Sequence, residues 1–197
     1  MKTILLNGKP IDFSKQDLPL LIHGGEGTGS SLFSVSIMAQ LYKQGAKILF
    51  ISGYHMARDE FKEQVGPELD SILIEGEKDI AAAKDKRVIF VPFEQRKLLT
   101  KLLAELPDIG DRTIFFKNFD LFDADITEEI LENSACIIQG DLTKDTHVLS
   151  YIPVHWSTEI YFSQPPEAFS SQVPELEKYT GFMVSEQKGR RGIVSLR

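Results

Sequence analysis

A glycine-rich segment near the amino terminus has the spacing of a phosphate-binding loop. In the pattern Gly-x-x-x-x-Gly-Lys-Ser/Thr, backbone N–H groups surround a phosphate, the lysine reaches the β- and γ-phosphates, and the final hydroxyl holds Mg²⁺. Here Ser31 fills the hydroxyl position and Ser30 stands where the lysine belongs. The candidate nucleotide-binding residues of this loop are Gly24, Gly25, Glu26, Gly27, Thr28, Gly29, Ser30 and Ser31.

The elements on either side of this loop are those that such a site needs. Leu20–His23 is a short apolar run that predicts a buried strand, and apolar residues at Phe33, Ile37 and Leu41 predict a helix over 30–44. A strand–loop–helix order directs N–H groups and the positive end of the helix towards an anion. Because these groups do not depend on the lysine, weak nucleotide binding is one interpretation. A loop kept only as a folding turn is the other.

The rest of the chain predicts one α/β domain over residues 1–197, with a mostly parallel sheet flanked by helices. Short, wholly apolar strands that alternate with helices are typical of a parallel sheet covered on both faces. The Asn-Gly pair at 7–8 predicts a hairpin within 1–18, with strands at 3–6 and 11–13, and a second hairpin closes the chain over 180–197. Further strands are predicted at 47–52, 71–74, 88–91, 113–116, 135–138 and 159–162, and helices at 57–65, 78–83, 94–106 and 126–132.

Composition excludes several classes of protein. A net charge of −7 argues against broad binding to nucleic acid or to anionic membranes. The apolar run at the amino terminus is too short for a signal peptide, and no run approaches the ~20 apolar residues of a membrane span. Cys136, the single cysteine, lies in an apolar strand and is expected to be buried. A cytoplasmic protein is therefore expected.

The loop Gly24-Gly25-Glu26-Gly27-Thr28-Gly29 resembles that of the RecA-like P-loop ATPases, and in particular the KaiC-like branch, whose G-x-x-G-T-G loop continues with Lys and Thr or Ser. The order of elements agrees over most of the chain. This resemblance implies a RecA-like fold, ATP or ADP as ligand, Mg²⁺ as its metal, and a homo-oligomer or ring as the assembly.

The strand that should carry the Walker B aspartate departs from the family pattern. The apolar residues 114–116 run into Lys117 and Asn118, and the first acid is Asp120. Lys117 therefore puts a positive charge where the metal-binding carboxylate belongs. It is either a relocated phosphate-binding lysine or an ordinary solvated one. Asp120 could hold a metal with Ser31, although aspartate is also common in turns.

The catalytic glutamate is displaced as well. In the family it follows the second core strand, where this chain has Gly53, Tyr54 and His55. Glu94, just after the strand at 88–91, is the best substitute as a water-positioning base. With the lysine, the aspartate and the glutamate all missing or displaced, the sequence favours a degenerate ATPase without efficient hydrolysis.

Three cations at the closing hairpin offer a contact in trans. The cations are Lys188, Arg190 and Arg191. In KaiC-like rings, basic residues near the carboxyl-terminal β region reach a neighbour's nucleotide, and Lys188-Gly189-Arg190 resembles that element in place and type. A charged hairpin tip is equally typical of a solvent-exposed turn. Gln139, at the end of the predicted strand 135–138, lies where related ATPases often carry a polar sensor residue.

Three functions remain open on the sequence alone. The first is a degenerate P-loop protein that acts as a nucleotide-binding or structural assembly subunit. The second is an active ATPase that takes its lysine from Lys117 or from a neighbour's Lys188. The third is a recombinase-like DNA-binding scaffold, which the acidic composition opposes.

Overall fold

The computed structural model describes residues 2–52, 55–117, 135–141, 143, 156–165 and 173–197, and for His55 the backbone alone. The strands are β1 Ile4–Leu6, β2 Lys9–Pro10, β3 Leu20–His23, β4 Lys47–Ser52, β5 Ser71–Leu73, β6 Val88–Pro92, β7 Arg112–Lys117, β8 Cys136–Gly140, β9 Thr158–Tyr161, β10 Gly181–Ser185 and β11 Arg190–Leu196. The α-helices are α1 Ser30–Lys43, α2 His55–Val65, α3 Lys78–Ala83 and α4 Leu99–Glu105, and 3₁₀ turns cover Lys15–Asp17, Phe93–Leu98 and Ile109–Asp111.

The described strands form one eleven-stranded sheet in the order β2-β1-β11-β10-β9-β3-β8-β7-β4-β6-β5. All neighbours from β9 to β5 pair in parallel, whereas β10, β11, β1 and β2 extend the sheet by antiparallel pairing. The large, mostly parallel sheet that the sequence predicts is confirmed. None of the described helices has the length and apolar character needed to cross a membrane.

Each face of the parallel region has its own core, because side chains alternate along every strand. The face covered by α1 and α2 is rich in phenylalanine: the ring centroid of Phe50 lies 4.7 Å from that of Phe115 and 5.7 Å from that of Phe61. The face covered by α3 and α4 is mainly aliphatic. Cys136 is fully buried there, as predicted, and Trp156 packs against the same cluster.

Two predicted elements differ from the structure. The strand expected at 11–13 is not formed, because the backbone of Phe13 forms hydrogen bonds with two glutamine side chains instead of a neighbouring strand. Its N–H donates to Oε1 of Gln40 in α1, and its carbonyl accepts from Nε2 of Gln44, the residue after α1. The helix expected over 94–106 begins as a 3₁₀ turn. There the Arg96 guanidinium lies 4.2 Å from the centroid of the Phe93 ring, a contact at i and i+3 that 3₁₀ geometry favours. The helix expected at 126–132 lies outside the described residues.

Candidate functional site

The glycine-rich loop lies where β3 ends and α1 begins, at the edge of the sheet formed by the carboxyl ends of the parallel strands. Gly27 and Gly29 have φ angles of +76° and +92°, a region that side chains other than glycine rarely occupy. Gly29 is the residue before the first turn of α1. Glu26 is exposed, and so is Ser31. The backbone thus turns into the positive end of a fourteen-residue helix, as an anion-binding loop requires.

Two side-chain hydroxyls close the loop on itself. Thr28 Oγ1 donates a hydrogen bond to the carbonyl of Gly25 at 2.8 Å, and Ser30 Oγ donates one to the carbonyl of Gly24 at 3.0 Å. Ser30 is 1% exposed. Ser30, at the position where the pattern has its lysine, therefore stabilises the shape of the loop.

The start of the loop has no room for a larger residue. A Cβ added at Gly24 would lie 2.7 Å from Ser30 Cβ and 2.9 Å from Phe162 Cβ. One added at Gly25 would lie 2.8 Å from Asp141 Oδ2. Asp141 directly follows β8, and the sequence pattern gave no reason to connect it with the loop.

A row of polar residues lies at or next to the carboxyl ends of three adjacent strands beside the loop. The register aligns Gln139 of β8 with Lys117 of β7, and Lys117 with Ser52 of β4. Gln139 Nε2 lies 3.2 Å from the Gly24 carbonyl oxygen and 3.4 Å from Ser30 Oγ, within hydrogen-bonding distance of both. Gln139 Oε1 is buried and has no hydrogen-bond partner among the described residues. The polar residue noted at the end of this strand therefore contacts the loop.

Lys117 is buried, with 4% of its surface exposed, which excludes the solvated alternative. Burial raises the pKa of the Glu60 carboxyl on α2, and the positive charges of Lys2 and Lys117 oppose that rise. A cation and a carboxylate thus influence each other near the carboxyl end of β7.

His23 is fully buried at the end of β3. Its Nε2 lies 3.0 Å from Ser163 Oγ, and its ring packs edge-on against Tyr161. Burial lowers the pKa of His23, and this outweighs the opposing effects of the Gln164 and Gly140 backbone and of the Asp141 charge. A neutral imidazole that packs and forms hydrogen bonds is the result.

A cleft of about 270 Å³ adjoins the loop at Gly29. Leu32, Phe162, Tyr179 and Leu196 give it an apolar lining, and Lys2 and Arg197 contribute positive charge. Tyr179 is 58% exposed and has a φ of +64°, a strained conformation for a bulky residue. The cleft is assembled from both ends of the chain, so local sequence patterns could not reveal it.

The hairpin cations lie at the opposite edge of the sheet. Because β10 runs antiparallel to β9, its end at Ser185 and the turn that follows lie at the amino ends of the parallel strands. Lys188 Nζ donates to Asp17 Oδ2 at 2.7 Å, and Arg190 Nη1 lies 3.7 Å from Asp17 Oδ1. The structure therefore does not bring Lys188, Arg190 or Arg191 to the loop of their own chain. The Arg191 guanidinium lies 5.3 Å from the centroid of the Phe182 ring.

Glu94 is also separated from the loop. It follows β6, which is four strands away from β3 in the sheet. At about 4.8 Å per strand this is ~19 Å, so Glu94 does not lie in position to orient a water at the loop. Asp120 lies outside the described residues. Among the residues that the structure describes, no group of three or more His, Cys, Asp and Glu side chains could hold a metal ion.

No family model matches the sequence, and a search of curated proteins finds no match. Solved structures do match. The genome packaging NTPase B204 from Sulfolobus turreted icosahedral virus 2, in complex with AMPPCP, has 13% identity and a TM-score of 0.59, covering 90% of this chain and 97% of B204. Thermomonospora curvata EccC (ATPases 2 and 3) has 10% identity and a TM-score of 0.58, covering 100% of this chain and 40% of EccC.

The Hef helicase domain of Pyrococcus furiosus has 15% identity and a TM-score of 0.54, covering 83% of this chain and 38% of that one. At these identities the similarity concerns the fold alone. The chain has the fold of the P-loop NTPases.

Proposed function

We propose that the protein binds a nucleotide, ATP or ADP, through the loop 24–31 and hydrolyses it slowly or not at all. The observation that carries the proposal is a closed glycine loop, left-handed at Gly27 and Gly29, at the amino end of α1. B204, which shares the fold, has been crystallised with ATP-gammaS, AMPPCP and AMP. A nucleotide is therefore the ligand that best suits this loop.

The binding energy would come from backbone N–H groups and from one buried cation. The N–H groups at the start of α1 carry a partial positive charge that attracts phosphate. Lys117 adds a full positive charge close by, since its cross-strand neighbour Gln139 contacts Gly24. Glu26, an exposed residue of the loop, and Asp141, near Gly25, carry carboxyl groups whose negative charge opposes this attraction. We therefore expect modest affinity.

Efficient hydrolysis lacks its usual groups. Phosphoryl transfer depends on positioned cations and on a base or polar residue that orients water. The loop has Ser30 in place of its lysine, β7 ends in Lys117, and Glu94 is four strands away. We therefore propose a nucleotide-responsive or structural subunit of an assembly rather than a motor, with a KaiC-like origin and a homo-oligomeric partner.

A second candidate is an active ATPase in which Lys117 replaces the loop lysine. This candidate is favoured by the burial of Lys117, which pairs across the strands with Gln139, the residue that contacts Gly24. A role for Lys188 in trans receives less support, because Lys188 would have to leave the buried carboxylate of Asp17.

Calorimetric titration with ADP and ATP, combined with a phosphate-release assay, tests the proposal. We expect saturable binding at one site per chain and turnover far below ~1 s⁻¹, the lower end of the range of ordinary enzymes. Absence of binding would overturn the proposed ligand. Turnover at about 1 s⁻¹ or faster that is abolished by Lys117→Ala would instead establish the active ATPase.

A further inference from the structure

We propose that Lys117 takes the place of a magnesium ion at this site, so that the protein binds free nucleotide rather than its Mg²⁺ complex. This inference rests on the nucleotide binding proposed above. The P-loop NTPase fold does not specify whether a metal ion or a side chain neutralises the phosphates, and we assign this role to a side chain.

The first argument is position. Phe115 belongs to the core between the sheet and helices α1 and α2, and side chains alternate along a strand. Lys117, two residues further and the last residue of β7, therefore lies on the same face, the one that carries α1 and the loop. Its neighbour in β8, Gln139, contacts both Gly24 and Ser30.

The second argument is burial. Lys117 is 4% exposed, and an ammonium group removed from water requires negative charge nearby. The carboxyl of Glu60 on α2 lies within electrostatic reach of Lys117: burial raises its pKa, and the positive charge of Lys117 is one of the effects that oppose the rise. A phosphate on the loop would add a multiply charged anion to the surroundings of Lys117, and the burial of the lysine reduces the screening of their attraction by water.

The third argument is that the side chains described around the loop do not suit Mg²⁺. This ion prefers octahedral oxygen ligands, supplied by one or two carboxylates together with phosphates and waters. At the end of β7 the chain provides a cation, which would repel a second one. Glu26 of the loop is exposed, and the other carboxylate described near the loop is that of Asp141, whose Oδ1 already accepts hydrogen bonds from the N–H and the hydroxyl of Thr143. A divalent ion held by Asp141 would lie in the field of Lys117.

The charge balance gives a direct test with the intact protein. ADP affinity is measured by calorimetry in excess EDTA and in excess MgCl₂, and ADP is used so that hydrolysis plays no part. We expect tighter binding in EDTA than in MgCl₂, because Mg²⁺ neutralises the phosphate charge that Lys117 attracts. Equal or tighter binding in MgCl₂ would overturn the inference alone. Absence of binding in both buffers would overturn the proposed function as well.

Substitutions test whether ADP affinity depends on the charge of Lys117 itself or on the net charge of the protein. Lys117→Met keeps the length and removes the charge, and we expect it to weaken ADP binding in EDTA about tenfold or more. Lys117→Arg should retain binding, and Lys101→Met, at an exposed lysine paired with Glu77, should leave it unchanged. Full affinity of a folded Lys117→Met variant would overturn the inference. The inference would also be overturned if Asp141→Asn lost ADP binding in MgCl₂ but kept it in EDTA, since Asp141 would then be a metal ligand.

Discussion

Ser30 Oγ donates a hydrogen bond to the carbonyl oxygen of Gly24 at 3.0 Å, joining the two ends of the glycine loop. Both residues are buried. Gln139 Nε2 reaches the same carbonyl from β8 at 3.2 Å. The serine at the position where the P-loop pattern has its lysine therefore forms a bond that holds the loop closed.

Replacing Ser30 with lysine should strengthen nucleotide binding, because an ammonium at this position can reach the β- and γ-phosphates. We expect at least about a tenfold gain in ADP affinity by calorimetry. Ser30→Ala is the control: it removes the bond to Gly24 without adding charge, and should lower the free energy of unfolding by about 1 kcal/mol. An unchanged affinity in Ser30→Lys would mean that the loop cannot present the new charge.

Gly29→Ala should reduce nucleotide binding and destabilise the fold. Its φ of +92° disfavours any side chain, and the added Cβ would lie 3.3 Å from Tyr179 Cδ1. Gly45→Ala is the matched control, since Gly45 has a φ of +95° but open space around it at the other end of α1. Both variants should lose about 1 kcal/mol in urea unfolding, and only Gly29→Ala should lose ADP affinity. Equal ADP affinities of the two variants would mean that Gly29 does not belong to the nucleotide site.

Lys188→Met should destabilise the protein, because Arg190 is then the one cation among the described residues that lies within 4 Å of the carboxylate of Asp17, which is 1% exposed. We expect a loss of about 2 kcal/mol, somewhat below the cost of an unpaired buried charge. Arg191→Met should cost less than half of that in the same urea titration. Comparable stability of the two variants would contradict a structural role for Lys188 and favour its role as a finger in trans.

Stability should fall as the pH drops below about 6.5, because burial lowers the pKa of His23 and the unfolded chain then binds the extra proton. The raised pKa values of Glu60 and Glu159 act in the opposite direction, since these carboxyls lose stability as the pH rises above 4.5. The comparison that isolates His23 is therefore between wild type and His23→Asn, by urea unfolding at about pH 8 and about pH 5. The variant should show the smaller acid loss. Identical pH dependence would mean that His23 is charged in the folded state.

Cys136 should be unreactive until the protein unfolds. Burial raises the pKa of its thiol to about 12, so at pH 8 only about one molecule in ten thousand would carry the thiolate. Ellman's reagent should therefore label no cysteine in native buffer and one per chain in denaturant. Rapid labelling of the native protein would show that β8 opens readily.

Local sequence patterns predicted those elements of the fold that residues close together in the chain determine. The strand at 47–52, the helix that begins at Ser30 and the glycine loop follow from apolar periodicity and glycine content. Contacts between distant residues were beyond such patterns. The ion pair between Asp17 and Lys188 spans 171 positions, so Lys188 resembled a solvated residue at a hairpin tip.

Lys117 shows the same limit. A lysine after a strand is normally solvated, and only the folded structure reveals that this one is buried. Asp141 was missed because its relation to Gly25 arises from the parallel pairing of β3 with β8, across more than a hundred residues of intervening chain.

The position of Trp156 has a practical consequence. As the single tryptophan, it packs near the start of β9, beside Ser157, whose N–H donates to the carbonyl of Pro19 ahead of β3. This is the edge of the sheet opposite the loop. Its fluorescence should therefore report unfolding of the whole domain, while a spectral change on adding nucleotide would signal an effect transmitted along the length of the central strands.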